Sequence, residues 1–423
     1  MSTNRRHANL GEVVYATQVI TSRPSPQRTR NILLLLAGSV ALMMTGLGII
    51  IPVFARRLAE FGSGVETLGL MTMAFALAQL VASPFMGSFA DRFGRRPLVL
   101  VALGSFIAIN IGYLWAPSVE AFIAIRAIGG AFSAGLFPAA MGIVADIVPE
   151  KNRAQWIGIV MGGYGAGFVF GPVVGGVLYD GWGFAAPFVA SALVASLAFV
   201  AAAILVPETR PHEVRRREAL RQRRATTTAP AQEDSFWAAL PRPLYIFGTL
   251  LFLDFIDSFA FAFVEPQMVF YVYEELEWTT SQFGLVVGAN GLAMMLGQTM
   301  LGQLSDKFGR KPIIMVGILL NSTFYIGLVF ITSFELMMLI GVIAGLGGAL
   351  IAPALSAFYL DITTEQHQSR VVGIKGSALS LGGVLGPLLV VFASELTTPR
   401  GVFIFSSSRP CSWWVRLCWH LPC

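Results

Sequence analysis

The chain has 423 residues, of which 55 % are apolar and only 13 % are charged, against roughly 25 % charged residues in a soluble domain. Its mean hydropathy is +0.69. Apolar runs of about 20 residues, long enough to cross ~30 Å of hydrocarbon, recur from Ile32 to Val391. These values argue against a soluble multidomain enzyme and predict an all-α polytopic membrane protein.

The apolar runs predict eleven membrane spans in two groups. Six lie at about 32–54, 68–87, 98–116, 121–144, 154–178 and 184–206, and five lie at about 244–265, 283–304, 313–332, 336–360 and 371–392. We therefore expect a tail at 1–31, an N-terminal half at 32–206, a linker at 207–243, a C-terminal half at 244–407 and an aberrant tail at 408–423.

Positive charge predicts how these spans are oriented. Lys and Arg concentrate in the first tail, in alternate loops and in the linker, and such loops are typical of the cytoplasmic side. We expect a cytoplasmic N-terminus and linker in an inner or plasma membrane. The net charge of +5 is attributed to orientation and anionic lipid rather than to nucleic acid. The linker is interpreted as a solvated hinge, with a regulatory or lipid-binding segment as the alternative.

An internal repeat relates the two halves. Gly87–Pro97 reads GSFADRFGRRP and Gly302–Pro312 reads GQLSDKFGRKP. The same offset relates Asp146 to Asp361, and it relates the GxxxGP segment that begins at Gly167 to residues 382–387. Three segments in one register predict two parallel six-helix repeats about an axis along the membrane normal.

The last residues break this pattern. The repeat places span twelve at 399–420, but that stretch contains Arg409, Pro410 and Arg416, and central arginines oppose membrane insertion. All three cysteines and three of the eight tryptophans also lie within residues 411–423. The composition indicates a frameshift near Ser408 that replaced span twelve. The alternative is an authentic interfacial tail.

At these motifs the chain resembles the major facilitator superfamily. GxxxDRxGRR between spans two and three resembles the signature loop of that family, and GxxxGPxxGG at Gly167–Gly176 resembles its antiporter motif. The resemblance is closest to the drug:proton antiporter branch, which includes multidrug and tetracycline exporters. It implies a twelve-span rocker-switch transporter with a central cavity between its halves.

The resemblance also implies roles for residues in both motifs. Asp91, Arg95 and Asp146 would form a cytoplasmic latch that favours the outward-open state; the alternative is that these charges only anchor topology. The bend at Pro172 would seal the path between the halves, or would serve tight packing alone. The latch set is Gly87, Asp91, Arg92, Gly94, Arg95, Arg96, Asp146, Asp306, Arg310 and Asp361, and the antiporter set is Gly167, Gly171, Pro172, Gly175 and Gly176.

Span seven carries three carboxylates in a hydrophobic helix. Asp254, Asp257 and Glu265 fall with Phe261 within about an 80° arc at 100° per residue. Charges inside a membrane are costly and rarely face lipid, and burial with mutual repulsion favours the protonated form of at least one carboxyl. We predict that this face lines a cavity and binds protons or a lipophilic cation in competition, with Asp257 as the first choice. One of the three is alternatively structural.

Arg126 is a lone arginine deep in span four. The family resemblance assigns it a proton-transfer role. The alternative is a structural charge paired with a carboxylate such as Asp257, because an unpaired arginine is costly in a membrane.

These features predict a proton-coupled exporter of small amphipathic drugs that works by alternating access. The expected partners are a cationic or zwitterionic small molecule, protons and the lipid bilayer, and the expected state is a monomer. No P-loop, nucleophile elbow or metal-ligand cluster is found in the sequence, so no catalytic residue, metal, cofactor or nucleic-acid partner is predicted. Two alternatives stay open, namely a proton-symport importer of a metabolite or sugar and a transport-dead truncated remnant. The antiporter motif favours export.

Overall fold

The computed structural model describes residues 26–206, 208, 241, 243–301, 304–363 and 368–393. Within these ranges the chain forms α-helices and no strand, so the predicted all-α fold is confirmed. The helices are α1 (Pro26–Glu60), α2 (Val65–Phe93), α3 (Arg95–Trp115), α4 (Val119–Ile147), α5 (Glu150–Trp182), α6 (Ala185–Leu205), α7 (Leu244–Glu274), α8 (Thr280–Leu301), α9 (Leu304–Phe308), α10 (Arg310–Phe330), α11 (Phe334–Asp361) and α12 (Gln368–Ala393).

Each predicted span corresponds to one long helix, and several helices extend beyond the apolar segment. Ten of the described helices are long and apolar enough to cross a membrane. The eleventh long helix, α8, has 22 residues and carries the polar residues Gln282, Asn290 and Gln298. The predicted span twelve, the frameshift near Ser408 and most of the linker lie outside the described residues and stay predictions.

The helices pack in two groups with corresponding partners. In the first group α1 packs on α5, and α4 packs on α2 and α3; in the second group α7 packs on α12, and α11 packs on α8 and α10. Each group has a buried apolar cluster of its own, one centred on Leu36, Leu103 and Ile143 and one on Leu250, Ile314 and Ala354. The packing follows the order expected from the sequence repeat.

The two copies of the loop motif form the same turn. Gly94 has φ of 104° before α3, and Gly309 has φ of 87° before α10. These angles lie in the left-handed region, which glycine adopts without steric cost. A glycine at each position therefore permits one helix to end and the next to begin within a single residue.

The helix ends define two opposite faces. The Arg56 face holds the connections at residues 61–64, 116–118, 183–184, 275–279 and 331–333, and the Arg95 face holds those at 94, 148–149, 309 and 362–363. Between the two groups, the closest packing joins α5 to α8 and α2 to α12. A large buried cluster that includes Phe54, Tyr271 and Phe283 also joins both groups near the Arg56 face.

Candidate functional site

The carboxylates of α7 occupy three different environments. Asp254 is buried, Asp257 is exposed and Glu265 is half-buried. Among the described residues, none donates a hydrogen bond to Asp257 or Glu265, whereas Asp254 accepts one. Phe261, on the same side of the helix, has 49 % of its surface exposed. The arc predicted from the sequence therefore combines Asp254, which accepts a hydrogen bond, with two carboxylates that accept none from the described residues.

Asp254 belongs to a polar cluster that joins α7, α11 and α12. The Tyr359 hydroxyl donates a hydrogen bond of 2.6 Å to Asp254 Oδ2, and Lys375 Nζ lies 3.8 Å from Asp254 Oδ1. Lys375 also donates to Ser356 Oγ at 3.3 Å, and its ammonium lies 5.2 Å from the centre of the Tyr359 ring. Because a buried carboxylate needs compensation, this cluster explains how Asp254 is accommodated in α7.

Arg126 of α4 lies between aromatic rings of its own group. Its guanidinium carbon is 4.4 Å from the ring centre of Phe75 and 5.6 Å from that of Phe54, a geometry that gives favourable cation–π contacts. The guanidinium lines a small cavity with Tyr113. Of the span-seven carboxylates, Glu265 is the one within electrostatic range of Arg126, whereas Asp257 is within range of Asp254, which has the same charge.

The antiporter motif packs on two helices at once. A Cβ added to Gly167, Gly171 or Gly175 would collide with the backbone of α1, at Ala41, Thr45 or Ile49. On another side of α5, a Cβ added to Gly176 would lie 2.8 Å from Ser281 Cα of α8, and the Pro172 carbonyl lies against Gly284. Small residues let membrane helices approach this closely, so α5 joins α1 to α8.

The second repeat forms a matching contact between the groups. Gly382 and Gly386 of α12 pack on the backbone of α7, as the motif glycines of α5 pack on α1. A Cβ added to Gly69 of α2 would lie 3.4 Å from the Pro387 carbonyl. The two GP segments thus take part in both of the close helix contacts between the groups.

Polar contacts between the groups also lie at the Arg56 face. Arg56 Nη2 donates to the Trp278 carbonyl at 2.7 Å, and Tyr273 Oη donates to the Pro52 carbonyl at 3.0 Å. The Asp180 carboxylate of α5 accepts the Ser281 backbone N–H at 2.7 Å. Asp180 therefore caps the first turn of α8 from the other group. We call these three contacts the clasp.

The loop motif forms an ion pair within each group at the Arg95 face. Arg95 Nη1 lies 2.9 Å from Asp146 Oδ2, and Arg310 Nε donates to Asp361 Oδ2 at 3.0 Å. The predicted partners Arg95 and Asp146 are therefore brought together, and so are their counterparts. The structure does not describe the surroundings of four other predicted latch residues, namely Gly87, Asp91, Arg92 and Asp306.

Three further contacts position the loop motif, and two of the residues that make them, Glu208 and Gly142, were not predicted. Glu208 Oε1 accepts the Arg95 backbone N–H at 3.2 Å and so caps the first turn of α3. Arg96 donates to the Ala203 carbonyl of α6 at 2.5 Å. A Cβ added to Gly142 would lie 2.5 Å from the Arg95 guanidinium, so this glycine leaves room for the ion pair.

A family model described as the Major Facilitator Superfamily matches residues 34–264 and 249–408. The chain belongs to the major facilitator superfamily. It is 25 % identical to Multidrug resistance protein 2 of Bacillus subtilis over 87 % of this chain and 90 % of that protein. It is 28 % identical to the class C tetracycline resistance protein of Escherichia coli over 89 % and 93 %. The resemblance to the drug-exporter branch is confirmed.

Solved structures show the same fold. A bacterial homologue of the human lysosomal transporter Spinster, in an inward-facing and unoccupied conformation, matches with a TM-score of 0.71 at 18 % identity. The match covers 93 % of this chain and 92 % of that one. The human organic anion transporter TETRAN matches with a TM-score of 0.64 at 20 % identity, over 94 % and 99 %. The chain is thus a multi-pass membrane protein with the fold of a secondary transporter.

Lys375 and Tyr359 are the residues of the α7 site that the sequence interpretation missed. A usable signal was present for Lys375, because it is a lysine inside the apolar run predicted as span eleven, and such a charge marks a functional or paired position. Tyr359 gave no comparable signal, since a tyrosine near the end of a membrane helix is common.

Proposed function

We propose that this chain exports small amphipathic cations or zwitterions in exchange for protons. The observation that carries the proposal is the pair of α7 carboxylates, Asp257 and Glu265, for which no donor occurs among the described residues. A carboxylate that accepts no hydrogen bond inside a membrane helix is suited to bind either a proton or a cation. The relatives named for multidrug and tetracycline resistance support export of such molecules.

The proposed orientation puts the Arg95 face in the cytoplasm, because Lys and Arg are concentrated in the loops of that face. The clasp and the α5–α8 contact would then close the extracellular side. Substrate would enter from the cytoplasm, and transport would require the clasp to open while the Arg95 face closes. This exchange of closed faces is the alternating access expected for two packed repeats.

The two carboxylates are proposed to act at different depths. Glu265 lies nine residues before the end of α7, about 14 Å from the Arg56 face at 1.5 Å per residue, and it interacts with Arg126 of the other group. Asp257 lies two turns deeper beside the exposed Phe261 ring. We assign cation binding to Asp257 with Phe261, and proton exchange coupled to opening to Glu265 with Arg126.

The test is substrate-driven proton movement in proteoliposomes. The full chain is reconstituted with an acidic lumen and a trapped pH-sensitive dye, and ethidium or tetracycline is added outside. We compare wild type with Asp257→Asn, Glu265→Gln and the control Glu66→Gln, whose carboxylate is exposed at the start of α2.

Proton efflux that depends on substrate, survives in Glu66→Gln and is lost in either α7 variant would support the proposal. Two results would contradict it. One is proton efflux that both α7 variants retain at the wild-type rate. The other is inward movement of protons together with substrate when the gradient is reversed and the exterior is acidic, which would identify a symporter.

A further inference from the structure

The cluster at Asp254 has one member with unused hydrogen-bonding capacity. The ammonium of Lys375 has three N–H donors. Among the described residues it donates one hydrogen bond, to Ser356 Oγ at 3.3 Å. The Asp254 carboxylate is 3.8 Å away, which is an ion-pair contact but too long for a hydrogen bond. The cation is therefore loosely held.

The two sides of this ion pair differ in access. The Asp254 side chain is 6 % exposed and the Lys375 side chain is 22 % exposed. Asp254 is fixed by the short hydrogen bond from Tyr359, and Ser356 beside Lys375 is exposed. A solute that reaches this cluster would meet the ammonium, and not the carboxylate that Tyr359 holds.

The cluster also lies close to Asp257, the carboxylate to which we assign cation binding. Asp257 is one helical turn from Asp254 on α7, and neighbours at this spacing have Cβ atoms about 5–6 Å apart. The Lys375 ammonium and the Asp257 carboxylate are therefore within about 15 Å of each other. A small molecule that carries both a cation and an anion has the charge pattern that fits this arrangement.

We propose that Lys375 binds the anionic group of a zwitterionic substrate. This inference rests on the proposed function, and it specifies that a carboxylate on the substrate replaces Asp254 as the closest anion of Lys375. Asp254 and Tyr359 then act as positioning residues: Asp254 holds the ammonium in place in the empty site, and Tyr359 retains Asp254 when the anion is bound.

The test compares two dyes that differ in one charge. Tetramethylrhodamine carries a free carboxylate and is a zwitterion, and its methyl ester is a cation of nearly the same shape. Binding of each to the purified full chain is followed by the anisotropy of the dye itself, so that the readout does not depend on transport or on proton coupling. The variants are Lys375→Met, Lys375→Arg, Asp254→Asn and the control Lys307→Met, an exposed lysine at the Arg95 face.

We expect Lys375→Met to weaken binding of tetramethylrhodamine by about tenfold, as expected for loss of one charged hydrogen bond, and to leave the ester within twofold. Lys375→Arg should retain the zwitterion, because it retains the charge. Asp254→Asn should tighten binding of the zwitterion, since it removes the competing anion from Lys375.

A structural role for Lys375 predicts a different pattern and would overturn the proposal. In that case Lys375→Met would weaken both dyes equally, and Asp254→Asn would weaken them as well. If wild type binds the ester but not the zwitterion, the anion site is wrong while cation export stands. If it binds neither dye, the anion site is wrong, and the proton-movement assay decides the proposed function separately.

Discussion

Adding one methyl group where α5 meets α8 should force the Arg56 face apart. A Cβ added to Gly176 would lie 2.8 Å from Ser281 Cα, and ordinary contacts begin near 3.4 Å. Gly176→Ala must therefore move the two helices apart by at least about 0.6 Å or strain both backbones. Overpacking of this kind typically costs about 1–3 kcal/mol. If that cost falls on the closed arrangement alone, the equilibrium shifts about 5- to 150-fold toward the open one.

The matched control is Gly165→Ala on the same helix. A Cβ added to Gly165 meets nothing within 4 Å, so the change should only raise helix propensity, by up to about 1 kcal/mol. Spin labels at Trp182→Cys of α5 and Leu285→Cys of α8, both exposed positions, report the separation of the two helices. The native cysteines are replaced by serine in this background; they are Cys411, Cys418 and Cys423.

Pulsed electron–electron double resonance should show a population at longer distances in Gly176→Ala and the wild-type distance distribution in Gly165→Ala. Thermal unfolding of both variants checks that each is folded. Identical distance distributions in the two variants, at equal thermal stability, would refute the assignment of the α5–α8 contact to closure of the Arg56 face.

Three further substitutions test other contacts of the described chain. Tyr273→Phe removes one clasp hydrogen bond, worth about 1 kcal/mol, and should lengthen the same spin-label distances while leaving thermal stability nearly unchanged; unchanged distances would count against the clasp. Glu208→Gln weakens the charged cap at the Arg95 N–H and should destabilise the chain by about 1 kcal/mol or less, seen as a lower melting temperature; an unaltered melting temperature would argue against capping. Gly142→Ala should displace the Arg95 guanidinium from Asp146 and slow transport without loss of the folded protein, so full transport activity would remove the ion pair from the mechanism.

Local sequence features were enough to predict the fold. A membrane span is recognised from its own length and hydropathy, and this is why each predicted span corresponds to a described helix. The repeat supplied the second ion pair, because Arg310 and Asp361 stand at the same offset from Arg95 and Asp146. The polar residues Gln282, Asn290 and Gln298 interrupt the apolar run of α8 without ending the helix, which packs on α5 and α11.

The partners of the charged residues could not be predicted in the same way. Helical spacing predicts one arc for Asp254, Asp257 and Glu265, but it does not specify how α11 and α12 are rotated against α7. That rotation brings Tyr359 and Lys375 to Asp254 and leaves Asp257 without a described donor. Likewise, the choice of Glu265 as the carboxylate near Arg126 depends on the contact between the two groups, and no spacing within one helix encodes it.

The antiporter motif shows why packing and closure need not be alternatives. Gly167, Gly171 and Gly175 repeat every four residues and so form one side of α5, which lies on α1 of its own group. Gly176 is displaced from Gly175 by one residue, about 100° around the helix, and it lies on α8 of the other group. The Pro172 carbonyl also lies against Gly284 of α8, while the Pro172 ring lies against Gly48 of α1. The first side fixes α5 to α1, so the end of α5 moves with its own group. The second side lies on α8 of the other group, and under the proposed function it separates from α8 when the Arg56 face opens. One helix therefore needs both stripes of small residues, and a single motif encodes them.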